Sequence, residues 1–245
     1  NGFALKAADG TTLFVDPYLG TGDPPRTVRM IPIPFAPEDV SEADAVLATH
    51  EHTDHTHGPS QGPILAGTEA AFYGPKAAVE VAEGWIDEYG LESGDVLEVT
   101  EGKSFEVGSL SIHVESAYDP DADTPVSYVF EHESGTFFHG GDARPSESFE
   151  RIGRRYDVDL AVAAFGSSGM IPDKETREPA YTEWYADENA AVEVANQLRA
   201  DRLIPTHWDM WKGLTADPDA IRDHVRGFQH PRRLEILEIG DRTDL

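Results

Sequence analysis

Cysteine is absent from the chain, which excludes disulfides and any thiolate metal site. Lysine is nearly as scarce: Lys6, Lys76, Lys103, Lys174 and Lys212 are all there are. With 19 basic residues against 46 acidic ones, the surface offers no basic groove for nucleic acid. No apolar run approaches the roughly 18–20 residues of a membrane span, and no signal-peptide core is visible. The chain opens directly on a strand-like stretch at 2–6, so a missing natural N-terminus, and with it a targeting segment, stays open. Gly-rich phosphate loops and the G-x-S-x-G elbow are also lacking, which removes support for nucleoside triphosphates and serine nucleophiles.

What the chain has in excess is negative charge, −27 in all, dispersed over predicted helices and loops rather than gathered in a tail. Dispersed repulsion of this size disfavours a compact state at low salt. At molar salt the Debye length falls to about 3 Å and the repulsion is screened. The pattern fits the cytoplasm of a halophile. With 245 residues, 39% of them hydrophobic, and no linker or repeat, one domain spanning 1–245 is expected.

The most informative stretch is Thr49-His50-Glu51-His52-Thr53-Asp54-His55-Thr56-His57-Gly58. Its H-x-H-x-D-H core follows the apolar run Ala45-Val46-Leu47-Ala48, so a short buried strand feeds a polar loop. Imidazole nitrogens and carboxylate oxygens suit zinc, manganese or iron. Four such groups in six residues wrap a single ion poorly but serve two neighbouring ions well, His50 with His52 and Asp54 with His55.

This motif resembles the signature of the metallo-β-lactamase superfamily. His139-Gly140-Gly141-Asp142 is similar to the family's strand-end segment that supplies a bridging aspartate, and 204–211 (Ile-Pro-Thr-His-Trp-Asp-Met-Trp) to its last histidine motif. That last run, with Ala216-Asp217-Pro218 after it, is particularly similar to the L-ascorbate-6-phosphate lactonase branch. The resemblance implies an αββα sandwich of two mixed sheets flanked by helices, an α/β (α+β) fold. It further implies two divalent ions, Mn2+ or Zn2+. His50 and His52 would serve the first; Asp54, His55 and His207 the second; Asp142 both. A hydroxide held by the ions would be the nucleophile. Asp16-Pro17-Tyr18 resembles the family's turn that supports the metal loop.

One departure stands out. The third first-site histidine of the superfamily is missing from 116–125, where Asp119 or Asp123 offers an oxygen instead. Asp119 is preferred, because Pro120 biases it away from helical angles and fixes its direction. An oxygen-richer site shifts the preference from zinc towards manganese. Asp54 and Asp119 are taken as the catalytic carboxylates, and Arg144 and Trp208 as substrate contacts. His57 is expected to line the loop, His139 to support Asp142, and His113 to be an ordinary strand residue.

Strands are expected at 2–6 and 12–15 (a hairpin around Asp9-Gly10), 96–99, 104–107, 110–114, 126–131, 136–139, 160–164, 203–205 and 234–237. Helices are expected from Pro75 to Gly90, from Ser146 to Arg155, from an Asp187 cap, and after Asp217-Pro218. The activity so implied is a metal-dependent hydrolase that opens a lactone of a sugar or sugar-acid phosphate. Its partner is a small-molecule substrate, without nucleic acid or membrane, and a homo-oligomer is compatible. The alternatives are a phosphodiesterase acting on RNA, cyclic nucleotide or phospholipid, and a non-catalytic metal-binding module.

Overall fold

The computed structural model describes residues 2–245, which divide into two compact units. The first comprises the chain up to Gly20, Ile33–Ser116 and Pro120–Ser134; the second comprises Thr21–Pro32, Ala117–Asp119 and Gly135–Leu245.

The first unit begins with the expected hairpin, β1 (Phe3–Lys6) antiparallel to β2 (Thr12–Val15). β3 (Ala45–Leu47) then runs parallel to β2, and its three residues are wholly buried. Burial on both faces explains why this strand reads as an unbroken apolar run rather than an alternation. α1 (Gly58–Gly67) follows the histidine loop, and β4 (Ala71–Gly74) lies parallel to β3. Where one helix was expected from Pro75 to Gly90, there are two, α2 (Lys76–Glu83) and α3 (Ile86–Tyr89), interrupted at Gly84. Gly90 caps α3 in the left-handed conformation, φ 66°, where glycine has no Cβ penalty. β5 (Val96–Glu98) completes a five-stranded sheet of order β1-β2-β3-β4-β5.

Side chains alternate across this sheet. Phe14, Val46 and Phe72 share one core with Ile64 of α1 and with Ala78 and Ala82 of α2. On the opposite face, Tyr73 stacks on Phe105 at 4.5 Å between centroids. Phe105 belongs to β6 (Ser104–Val107), which leads an antiparallel meander with β7 (Leu110–Ser116) and β8 (Val126–His132). Tyr128 of β8 donates its hydroxyl to Ala48 O at 2.8 Å. The unit is therefore layered helix, sheet, sheet.

The second unit is parallel α/β. β9 (Gly135–His139) is followed by α4 (Glu147–Arg155), β10 (Leu160–Ala164) and a hairpin of β11 (Gly169–Pro172) and β12 (Pro179–Thr182). Then come α5 (Glu188–Leu198), β13 (Arg202–Thr206), α6 (Ile221–Val225) and β14 (Arg233–Leu234). β9, β10, β13 and β14 are parallel, in the order β14-β13-β10-β9. Asp187 caps α5 as expected, its carboxylate accepting from Ala190 N at 2.8 Å. Ser146 stands at the N-cap of α4 but makes no side-chain cap bond, so only half of that expectation is met. The expected last strand shrinks from four residues to Arg233–Leu234. α4 and α5 touch at Gly153, where a Cβ would run into Gln197 O. No helix among the described residues is long and apolar enough to cross a membrane.

Candidate metal centre

In the first unit, β3 delivers the histidine loop onto a buried carboxylate. Asp16 ends β2 with 0% exposure and accepts three hydrogen bonds, from Thr49 N, the Thr49 hydroxyl and His55 Nδ1, each at 2.8 Å. A left-handed backbone at Asp16, φ 48°, aims it back at the loop, a conformation aspartate tolerates better than most residues. The loop closes on itself as Thr56 Oγ1 donates to His50 O and Gln61 Nε2 to His55 O, both at 2.6 Å. Tyr128 remains a donor here, since burial and then the Asp16 charge push its hydroxyl pKa well above the ordinary value.

These partners dictate which imidazole nitrogens carry protons. His55 gives its Nδ1 proton to Asp16, which turns the Nε2 lone pair outward. The Thr49 hydroxyl spends its proton on Asp16, so it accepts from His50 Nδ1 at 3.0 Å. His52 Nε2 lies 2.9 Å from the Asp121 carbonyl, which can only accept. The remaining nitrogens, His50 Nε2 and His52 Nδ1, face each other at 2.9 Å. In neutral rings both carry lone pairs, and two lone pairs at that distance repel unless a cation joins them. The donor chemistry thus fits a divalent ion at this position.

In the second unit, β9 and β13 each end in a donor. The turn after β9 places Gly141 at φ 61°, with Gly141 N donating to His139 Nδ1 at 3.2 Å. This buries Asp142 beside His207, whose Nε2 is 3.4 Å from Asp142 Oδ1. Tyr185 stacks on the His207 ring at 4.5 Å and 19°. Arg144 N donates to Tyr118 O at 2.8 Å, tying the segment that carries Asp119 to the Asp142 turn.

The side chains able to offer a metal-ligating atom form two sets, His50, His52, Asp54 and His55 in the first unit and Asp119, Asp142 and His207 in the second. All of the sequence-derived ligands fall in these sets, and Asp119 joins them. Asp123 is exposed instead, its amide held by Glu51 Oε1 at 2.8 Å. His113 is the ordinary strand residue expected, bonded to Ser104 Oγ and to Glu131. His57 lines the loop, 2.6 Å from Ser60 Oγ and edge-on to Tyr18, and burial lowers its pKa more than Asp54 raises it. Trp208 is half-buried, while Trp211 is a core residue whose backbone bridges to Arg29. Thr49, Gln61 and Tyr185 had no signal in the sequence; each is visible only through its partner.

Residues 11–208 match the family model described as "Beta-lactamase superfamily domain". The chain is 27% identical to the "Probable L-ascorbate-6-phosphate lactonase UlaG" of Escherichia coli, over 90% of this chain and 71% of that protein. Among solved structures it is similar to a possible metal-dependent hydrolase from Veillonella parvula, with TM-score 0.73, 17% identity, and coverage of 99% of this chain and 95% of that one. It is likewise similar to an isothiocyanate hydrolase from Delia radicum gut bacteria, with TM-score 0.71, 16% identity, and coverage of 97% and 94%. Those two likenesses concern the fold, which is the metallo-β-lactamase fold with its two mixed sheets and flanking helices. A family match over most of the chain, joined to clustered histidines and aspartates at the expected strand ends, makes this protein a member of the metallo-β-lactamase superfamily, a metal-dependent hydrolase.

Proposed function

We propose that the protein opens the lactone ring of a small anionic molecule, such as a sugar or sugar-acid phosphate, using two divalent ions. His50, His52 and Asp119 would hold the first ion, Asp54, His55 and His207 the second, and Asp142 would touch both. The observation that carries this reading is the facing pair of imidazole nitrogens at 2.9 Å, whose outward protons are already committed. With three carboxylates and no thiolate, the donors suit manganese as well as zinc. Such ions supply Lewis acidity towards a carbonyl oxygen and lower the pKa of a coordinated water.

The chain's own groups divide the remaining work. Asp16 orients His55 and, through Thr49, His50, so that the ligands are preorganised rather than gathered by the metal. Asp54 is only partly buried, its side chain 17% exposed, and its Oδ2 lies 3.9 Å from His55 Nε2. That position suits a carboxylate that accepts a proton from the attacking water and returns it to the leaving alkoxide. The likeness to the lactonase of Escherichia coli supports the lactone over other esters.

Elemental analysis of the purified protein, followed by a panel of lactones and phosphodiesters at high salt, tests the reading. Metal-dependent turnover of lactones is expected. Turnover of phosphodiesters alone would replace the lactonase by a phosphodiesterase, and bound metal without any turnover would leave a binding module.

A further inference from the structure

Arg26 and Arg144 differ from the arginines that this acid-rich chain holds in ion pairs. Arg177 is paired with Asp23 at 3.1 Å, Arg202 with Glu235 at 2.7 Å and Arg222 with Asp219 at 2.6 Å. Arg26 and Arg144 form no ion pair among the described residues, and they are the two arginines whose Nε is buried without a hydrogen-bond partner. A buried donor left without an acceptor costs about 1–3 kcal/mol, so a fold that keeps two of them needs a reason.

Both guanidinium groups lean on the same short segment of the second unit. Arg26 lies over the Trp184 ring with its Cζ 5.1 Å from the centroid. Arg144 spends one Nη2 contact, at 3.3 Å, on the carbonyl of Glu183. The next residue, Tyr185, is the one stacked on His207, and Arg144 stands two positions beyond Asp142. Arg26 thus lies against Trp184 and Arg144 against the backbone one residue before it, the face of the Arg26 guanidinium being covered by the indole.

We propose that Arg26 and Arg144 form a clasp for the phosphate group of the substrate, with Trp184 as the platform that holds Arg26 flat. The role of the clasp in catalysis rests on the hydrolase reading above, but phosphate binding to it does not. Guanidinium forks match phosphate oxygens in pairs, and a dianion satisfies two cations where a single carboxylate satisfies one. The segment 183–185 then sets the spacing from the phosphate to the reacting carbonyl.

The test is calorimetric titration of the metal-loaded protein with inorganic phosphate, and separately with acetate, at constant molar potassium chloride. Arg26→Gln and Arg144→Gln should each weaken phosphate binding by about 10- to 100-fold, and Arg26→Lys by less. Arg151→Gln, which removes the same charge from an exposed helix position, should leave it unchanged. Circular dichroism confirms that each variant is folded before it is titrated. Phosphate affinity unaltered in both clasp variants, or weakened equally in Arg151→Gln, overturns the proposal. Acetate binding as tightly as phosphate overturns the choice of phosphate. Arginine-dependent phosphate binding in a protein that hydrolyses no lactone would sink the lactonase reading and keep the clasp.

Discussion

Asparagine in place of Asp16 exchanges one oxygen of the carboxylate beneath the histidine loop for an amide. The two residues have nearly the same shape, and both tolerate the left-handed backbone found there at φ 48°. Oδ1 can still accept from Thr49 N, but an NH2 group now meets the Thr49 hydroxyl and His55 Nδ1, which both donated to Oδ2. The hydroxyl can rotate to accept. His55 can accept only by moving its proton from Nδ1 to Nε2, the nitrogen meant for the metal. Loss of such a supporting carboxylate typically costs 10–100-fold in metal affinity, or ~1.4–2.8 kcal/mol. Alanine is the poorer probe, since it strands three buried donors at about 1–3 kcal/mol each, a large part of the 5–15 kcal/mol that holds a domain together. The assay is competition for manganese or zinc against a chelating dye, alongside long-range nitrogen–proton spectra that report the His55 tautomer. A folded Asp16→Asn protein with wild-type metal affinity and an unchanged His55 tautomer would refute the argument.

Asp142→Ala removes the group expected to touch both ions, so elemental analysis should find both occupancies reduced together, whereas His207→Ala should empty mainly one; two metals retained in Asp142→Ala would contradict the shared role. Asp119→Asn should leave a folded protein with about one metal per chain and strongly reduced turnover, and Asp123→Asn should behave as wild type; the reverse outcome would move the ligand four residues along. Thermal stability should climb from low to molar potassium chloride, and relief of even ~3 kcal/mol of repulsion raises the midpoint by roughly 6–12 °C in a chain of this size; a flat midpoint removes the salt argument. Burial holds the His57 pKa below its ordinary 6.5, so just beneath that pH the unfolded chain binds a proton that the folded one refuses. Stability should therefore rise with pH through that window and level off above it, and His57→Gln should reduce the slope in urea titrations; an identical slope in both proteins counts against the buried neutral ring.

Legibility in the sequence followed the range over which each feature is decided. β10 and the β1–β2 hairpin were plain, because an apolar run and a turn dipeptide are local signals. α1 was not, since Gly58, Pro59, Gly62 and Pro63 are among the poorest helix formers. Its glycines answer to distant residues: a Cβ on Gly58 would meet Trp85 Nε1 at 2.9 Å, and one on Gly62 would run into the Tyr89 ring. Helix propensity was overridden by close packing that no local pattern encodes. At the candidate site the donors were legible as motifs, and Asp119 by its place before a proline. The arrangement that sets the tautomers was not, because Asp16 and Thr49 lie 33 positions apart and meet through strand pairing alone. Arg26 and Trp184 were invisible for the same reason.

His207 stands in the left-handed region at φ 67°, directly after the buried parallel strand β13. A non-glycine residue in that conformation gives up about 1–2 kcal/mol that glycine would not. The rest of the fold over-determines the position, with Phe165 N bonded to Thr206 O at 2.9 Å and Tyr185 laid on the ring. Glycine at this position would relax the backbone and remove the imidazole in one step, so the end of β13 is a place where backbone ease and a metal-ligating side chain pull in opposite directions.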